Sequence, residues 1–85
     1  MRILYFAWLR ERTGVDREEV TPPPWVKDVA SLVAWLKGRS AGHAAALADF
    51  ARVRIAVNQE AVGPDHPVAA ADEIAFFPPM TGGSS

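Results

Sequence analysis

The two most apolar segments of this chain stand near its opposite ends, with one clearly amphipathic helix between them. Arg2 to Leu9 reads Arg-Ile-Leu-Tyr-Phe-Ala-Trp-Leu, and Glu73 to Phe77 reads Glu-Ile-Ala-Phe-Phe. Both are rich in β-formers, and the first is apolar on both faces, as in a strand covered on two sides. At 85 residues there is room for one domain, so both strands must share one sheet. Surface scaling for this size leaves roughly 4,900 Å² exposed of roughly 13,300 Å² in the unfolded chain, about 63% buried. So small a domain offsets its ordering entropy only narrowly. Its 49% apolar content is needed for one core, and function falls to a face, a loop or a terminus.

The segments between give the topology. Arg10-Glu11-Arg12-Thr13-Gly14 is polar, ends in glycine and predicts a turn. Glu18-Glu19-Val20-Thr21 predicts a second strand, stopped by Pro22-Pro23-Pro24 and joined to the first as an antiparallel hairpin. Val29, Leu32, Val33 and Leu36 then fall at i, i+3, i+4 and i+7, one helical stripe. Asp28 is its expected N-cap and Gly38 its expected stop, with Trp25 and Trp35 closing the edges of the packing. Ala44 to Ala51 repeats the period for one or two turns.

Strands return at Arg52–Val57, at Ala61-Val62 after an Asn58-Gln59-Glu60 turn, and at Glu73–Phe77 after the Gly63–Pro67 loop. Pro78-Pro79 ends the last strand, because neither proline can donate to a ladder. The order is β-β-α-(short α)-β-β-β. A helix crossing from an N-terminal hairpin to later strands gives an α+β fold, a β-grasp mixed sheet with one main helix on one face. The first and last strands lie parallel at its centre. Residues 1–79 form this domain, and residues 80–85 form a flexible tail.

Composition removes several classes of function. Without cysteine the chain has no disulfide framework, no thiolate zinc site and no thiol nucleophile. A net charge of -1 gives no electrostatic footprint for nucleic acid. No apolar run approaches the ~20 residues of a membrane span, and Ile3–Leu9 does not read as a signal peptide. A cytoplasmic protein is the expectation. His43 and His66 read as solvent-facing loop residues, with no paired ligand at metal spacing. Glu18-Glu19 and Asp72-Glu73 border strands and read as carboxylates solvating turns. Arg10 and Arg12 read as lining a solvated loop, with Arg10 a candidate partner contact.

The C-terminus carries the chemistry. Phe76-Phe77-Pro78-Pro79-Met80-Thr81-Gly82-Gly83 places two aromatics and a stiff proline pair before two glycines. Pro-Pro projects the chain in an extended conformation, and glycines lacking Cβ pass through channels too narrow for other residues. Such a terminus suits delivery into another protein's active site.

Four stretches, as they stand, are Ile3-Leu4-Tyr5-Phe6-Ala7-Trp8-Leu9-Arg10-Glu11, Ala56-Val57-Asn58-Gln59, Asp65-His66-Pro67-Val68 and the run from Asp72 to Gly83. On these the chain resembles the molybdopterin synthase small-subunit (MoaD) family of ubiquitin-like sulfur carriers, over residues 1 to 83. The resemblance implies that an E1-like enzyme adenylates the Gly83 carboxylate with ATP. A persulfide donor then leaves a thiocarboxylate there. It implies a heterotetrameric complex with a large subunit, which supplies the acid-base groups while Pro79, Met80, Thr81, Gly82 and Gly83 enter its active site. No bound cofactor and no metal are expected in this chain.

Partner contacts carried over by resemblance are Phe6, Ala61 and Phe77, with Ala61 smaller than the aliphatic residue common in the family. Ser84 and Ser85 follow Gly83 and set its carbonyl up to ~7 Å back from the free carboxylate. A trimmed precursor, a non-native ending and a divergent carrier each account for them. Carriers for thiamine or cysteine synthesis, and ubiquitin-like protein modifiers, share the terminal Gly-Gly and are the alternatives.

Overall fold

The computed structural model describes residues 1–79. Its elements are β1 (Arg2–Tyr5), α1 (Trp8–Thr13), β2 (Arg17–Glu19), α2 (Val29–Lys37), α3 (Ala41–Leu47), a 3-10 turn (Phe50–Arg52), β3 (Arg54–Val57), β4 (Glu60–Val62) and β5 (Glu73–Phe77). The strands form one mixed sheet in the order β2-β1-β5-β3-β4. β1 and β5 run parallel, with Ile3 opposite Ile74 and Tyr5 opposite Phe76, and the other pairings are antiparallel. The predicted β-grasp arrangement is the one observed.

Alternation along the strands sends Ile3, Tyr5, Ile55, Val57, Ile74 and Phe76 into the core, as a two-residue period requires. The α2 stripe Val29, Leu32, Val33 and Leu36 is buried against them. Asp28 caps α2 as predicted: its Oδ1 accepts from the Ser31 N–H at 2.9 Å, and Ser31 Oγ accepts from the Asp28 N–H at 3.1 Å. The next two N–H groups, of Val29 and Ala30, donate to the carbonyls of His66 and Pro64 at 3.0 and 2.9 Å. The Gly63–Pro67 loop thereby closes the start of the helix, where backbone donors lack intrahelical partners.

The hairpin from β3 to β4 turns on Asn58 and Gln59, at φ 51° and 71°, the two positive values of a two-residue hairpin loop. Asn58 also braces β5. Its Nδ2 donates to Asp72 Oδ1 and its Oδ1 accepts from the Glu73 N–H, each at 3.0 Å.

Several expectations change. The apolar run from Arg2 to Leu9 is not one strand, because β1 ends at Tyr5 and α1 begins at Trp8. Ala7 makes the break at φ 55°, ψ -131°, a region that residues bearing a Cβ seldom occupy. Arg10–Thr13, predicted as a turn, belongs to α1, and Gly14 ends that helix at φ 84°. β1 and β2 do pair antiparallel, but across this helix rather than a tight turn. α3 starts at Ala41 rather than Ala44 because Ser40 caps it, its Oγ accepting from the His43 N–H at 3.0 Å. Trp35 packs against the core as expected, whereas Trp25 is 53% exposed on its turn.

Candidate functional site

The helices cover one side of the sheet, and the other side is built by the alternate residues of the same strands. The registers set Arg17, Leu4, Ala75, Ala56 and Ala61 side by side in one row across all five strands. The neighbouring row contains Phe6, Phe77 and Arg54. Arg54 lies opposite Phe77, and the Phe6 N–H donates to the Phe76 carbonyl at 3.1 Å, carrying the parallel pairing one residue past β1. Phe6 is 48% exposed, and Phe77 is half-buried. Three alanines beside two phenylalanines make a flat apolar floor with a raised aromatic edge.

The opposite margin of this face is charged. Arg2 lies between Glu19 at 3.1 Å and Glu73 at 3.8 Å. β5 leaves the sheet at the aromatic margin, where Pro78 and Pro79 follow Phe77 directly and are half-buried. The predicted tail residues Met80, Thr81, Gly82 and Gly83, with Ser84 and Ser85, lie outside the described residues. Phe6, Phe77 and Ala61 thus share one face, Ala61 exposed on the edge strand β4. Arg10 is exposed on α1, and among the described residues no hydrogen bond ties its side chain to that face. Ala75 and Ala56, which pave the floor, went unpredicted because single alanines carry no signal until register places them together.

Two residues expected in solvent lie elsewhere. His43 is buried at 7% exposure, and its Nε2 is 2.8 Å from Glu18 Oε2. The Tyr5 hydroxyl donates to the same oxygen at 2.8 Å, and Arg39 approaches the other carboxylate oxygen at 3.6 Å. Burial acts to raise the Glu18 carboxyl, but the hydrogen bonds from His43 and Tyr5 and the charges of His43 and Arg39 outweigh it. The group is held below the ordinary glutamate range. Burial, reinforced by the bond to Glu18, pushes the Tyr5 phenol upward.

Ser40 Oγ lies 2.7 Å from His43 Nδ1, so serine, histidine and glutamate stand in series. Ser40 Oγ is also engaged as the α3 cap, and the group ties elements together rather than presenting a nucleophile. Among the described residues no three metal-ligating side chains converge, and no helix is long and apolar enough to cross a membrane.

The order of the sheet, its parallel central pair and the single helical layer define a ubiquitin-like β-grasp protein. The chain belongs to the ThiS family, whose sequence model matches residues 3–83. It is 41% identical over 83 residues to the molybdopterin synthase sulfur carrier subunit of Escherichia coli (strain K12), spanning 98% of this chain and 99% of that one. Among solved structures it is similar to a Pyrococcus furiosus protein described as molybdopterin converting factor subunit 1. That match has 31% identity, a TM-score of 0.77 and coverage of 93% and 95% of the two chains. It is also similar to the small archaeal modifier protein 1 of Haloferax volcanii, with 27% identity, a TM-score of 0.73 and coverage of 94% and 97%. The resemblance to molybdopterin synthase small subunits read from the sequence is borne out.

Proposed function

We propose that this chain is the sulfur-carrying subunit of a molybdopterin synthase and works by presenting a thiocarboxylate on Gly83. The observation that carries the proposal is the near full-length identity with the Escherichia coli carrier, together with Phe-Phe-Pro-Pro leading to Gly82-Gly83. In this reading the fold is a handle. The apolar sheet face docks the large subunit, and the tail leaves from its aromatic margin. Gly83 lies six residue steps beyond Phe77, which sets the reach into a partner at no more than about 20–22 Å.

A carboxylate is a poor electrophile, because its carbonyl carbon is electron-rich and oxide is not a competent leaving group. Attack of the Gly83 carboxylate on the α-phosphorus of ATP, with loss of pyrophosphate, gives an acyl-adenylate. The terminal sulfur of a persulfide donor then displaces AMP to give an acyl disulfide. A second thiol attacks the donor's sulfur and breaks the S–S bond, leaving a disulfide on the donor side and releasing the thiocarboxylate on Gly83. The large subunit draws this sulfur into the dithiolene of molybdopterin, and two sulfurs per product require two loaded carriers. The activating enzyme binds the ATP, and the large subunit supplies the acid-base groups.

Because Ser84 follows Gly83, adenylation at Gly83 needs cleavage after that residue. Incubation with an E1-like activating enzyme, ATP and a persulfide donor is expected to add about 16 Da to a form ending at Gly83 and nothing to the 85-residue chain. Equal labelling of both forms would overturn the assignment of Gly83 as the reacting end. A second reading, a protein modifier joined to lysines, is favoured by the likeness to the archaeal modifier. Lysine-linked adducts without a thiocarboxylate would select it.

A further inference from the structure

Two arginines on the uncovered face have no anionic partner among the described residues. Arg17 begins the row that continues through Leu4 and Ala75, and Arg54 stands beside Phe77. The only hydrogen bond from the Arg54 side chain within the described residues goes to the Ala51 carbonyl at 3.3 Å. Arg2 on the same face and Arg39 on the helical side are both paired with glutamates. Arg17 and Arg54 are separated by three strand steps, roughly 14 Å, and by two residues along the strand, roughly 7 Å. They bracket the apolar floor diagonally.

Protection of a sheet edge accounts for one of these charges at most. Charged residues on edge strands do discourage unwanted pairing, and β2 is an edge. β3 is not, since it lies between β5 and β4, so Arg54 needs another explanation. A wholly apolar partner covering the face would strip water from both guanidiniums without replacing it, which is strongly unfavourable for an ion. Anions at matching positions turn that penalty into orientation.

We propose that this face is built for a protein partner whose docking surface is apolar at its centre and carries carboxylates opposite Arg17 and Arg54. The proposal rests on the docking role given above and adds the charge pattern of the partner. The two cations set the rotation of the docked subunit, which aims the departing tail. They also speed encounter through attraction that acts over about one Debye length.

The test measures association of the full chain with its cognate molybdopterin synthase large subunit at low and high ionic strength. The double variant Arg17→Glu with Arg54→Glu is expected to associate about 10–100-fold more slowly at low salt, with the difference fading at high salt. A second variant, Arg17→Lys with Arg54→Lys, supplies amines for zero-length carbodiimide coupling. It is expected to give cross-links from positions 17 and 54 to aspartate or glutamate of the large subunit. The parent chain, whose lysines are Lys27 and Lys37, gives none there. Wild-type rates for the glutamate variant, or no coupling at either position, would overturn the charge pattern while leaving the docking role intact. Failure of the parent chain to bind the large subunit would overturn both.

Discussion

His43 Nε2 sits 2.8 Å from Oε2 of Glu18, joining α3 to the edge strand β2 across 25 residues of sequence. The same oxygen receives the Tyr5 hydroxyl from β1, so one carboxylate binds three elements. The Tyr5 ring meets the His43 ring edge-on at 5.8 Å and stacks on Phe76 at 5.9 Å. A short outer strand of three residues is thereby held from its inner side, where ladder hydrogen bonds to β1 alone would hold it weakly.

Replacing His43 by alanine removes a buried partner from Glu18 and from Ser40. The expected loss is about 1–3 kcal/mol of unfolding free energy, measured as a lower midpoint in urea with unchanged slope. A difference below about 0.3 kcal/mol would show that water replaces the imidazole without penalty.

The Glu18 carboxyl also gives the fold a defined response to acid. Its folded-state pKa lies below the ordinary value of 4.5, so the folded protein favours the ionised form. The stabilisation is complete above about 4.5 and is lost as pH falls through the folded value. Glu18→Gln is therefore expected to be less stable than the parent at neutral pH, with the gap narrowing in acid. Thermal melts of both proteins across that range check it, and a gap independent of pH would assign the effect to shape alone.

What the sequence showed depended on whether the signal was local. β5 was predicted with its observed bounds, and the α2 stripe and Asp28 cap were legible, because periodicity and capping act within a few residues. The break at Ala7 was not, since Phe6-Ala7-Trp8-Leu9 has strand composition and the strained turn is imposed by packing α1 onto α3. The inward turn of Glu18 and His43 was hidden for a similar reason. Neither neighbour in sequence reveals a partner 25 positions away. Phe6, Ala61 and Phe77 were placed by resemblance, whereas Arg17 and Arg54 gained meaning only when register set them around one patch.

Gly42 marks the close approach of α3 to α1. A Cβ there would collide with the backbone carbonyl of Arg12, which a flexible side chain cannot relieve. Gly42→Ala is expected to destabilise the fold by about 1–3 kcal/mol, against the helix propensity that ordinarily favours alanine. Gly38→Ala is the control, because its added methyl meets only ordinary contact. Equal stability of the two variants would show that α1 shifts freely.

Asn58 contributes in two separable ways, through its positive φ and through its bonds to Asp72 and Glu73. Asn58→Gly keeps the turn and loses the bonds, while Asn58→Ala loses both. Alanine is expected to be the more destabilising by about 1 kcal/mol, read from chemical denaturation. The reverse order would mean that the positive φ at this position carries no penalty for a residue bearing a Cβ, while a loss common to both variants reports the side-chain bonds.

Phe6 separates docking from folding more cleanly than Phe77. It is nearly half exposed in the isolated chain, whereas Phe77 is partly covered and its truncation would disturb the end of β5. Truncating Phe6 to alanine should change stability by no more than about 0.5 kcal/mol. An aromatic anchor that becomes buried in an interface contributes about 2 kcal/mol or more, so affinity for the large subunit is expected to fall by about 30-fold or more. Calorimetric titration alongside a melting curve measures both quantities on one sample. An unchanged affinity would move the docking surface off this face, and with it the assignment of the aromatic margin as the place from which the tail is delivered.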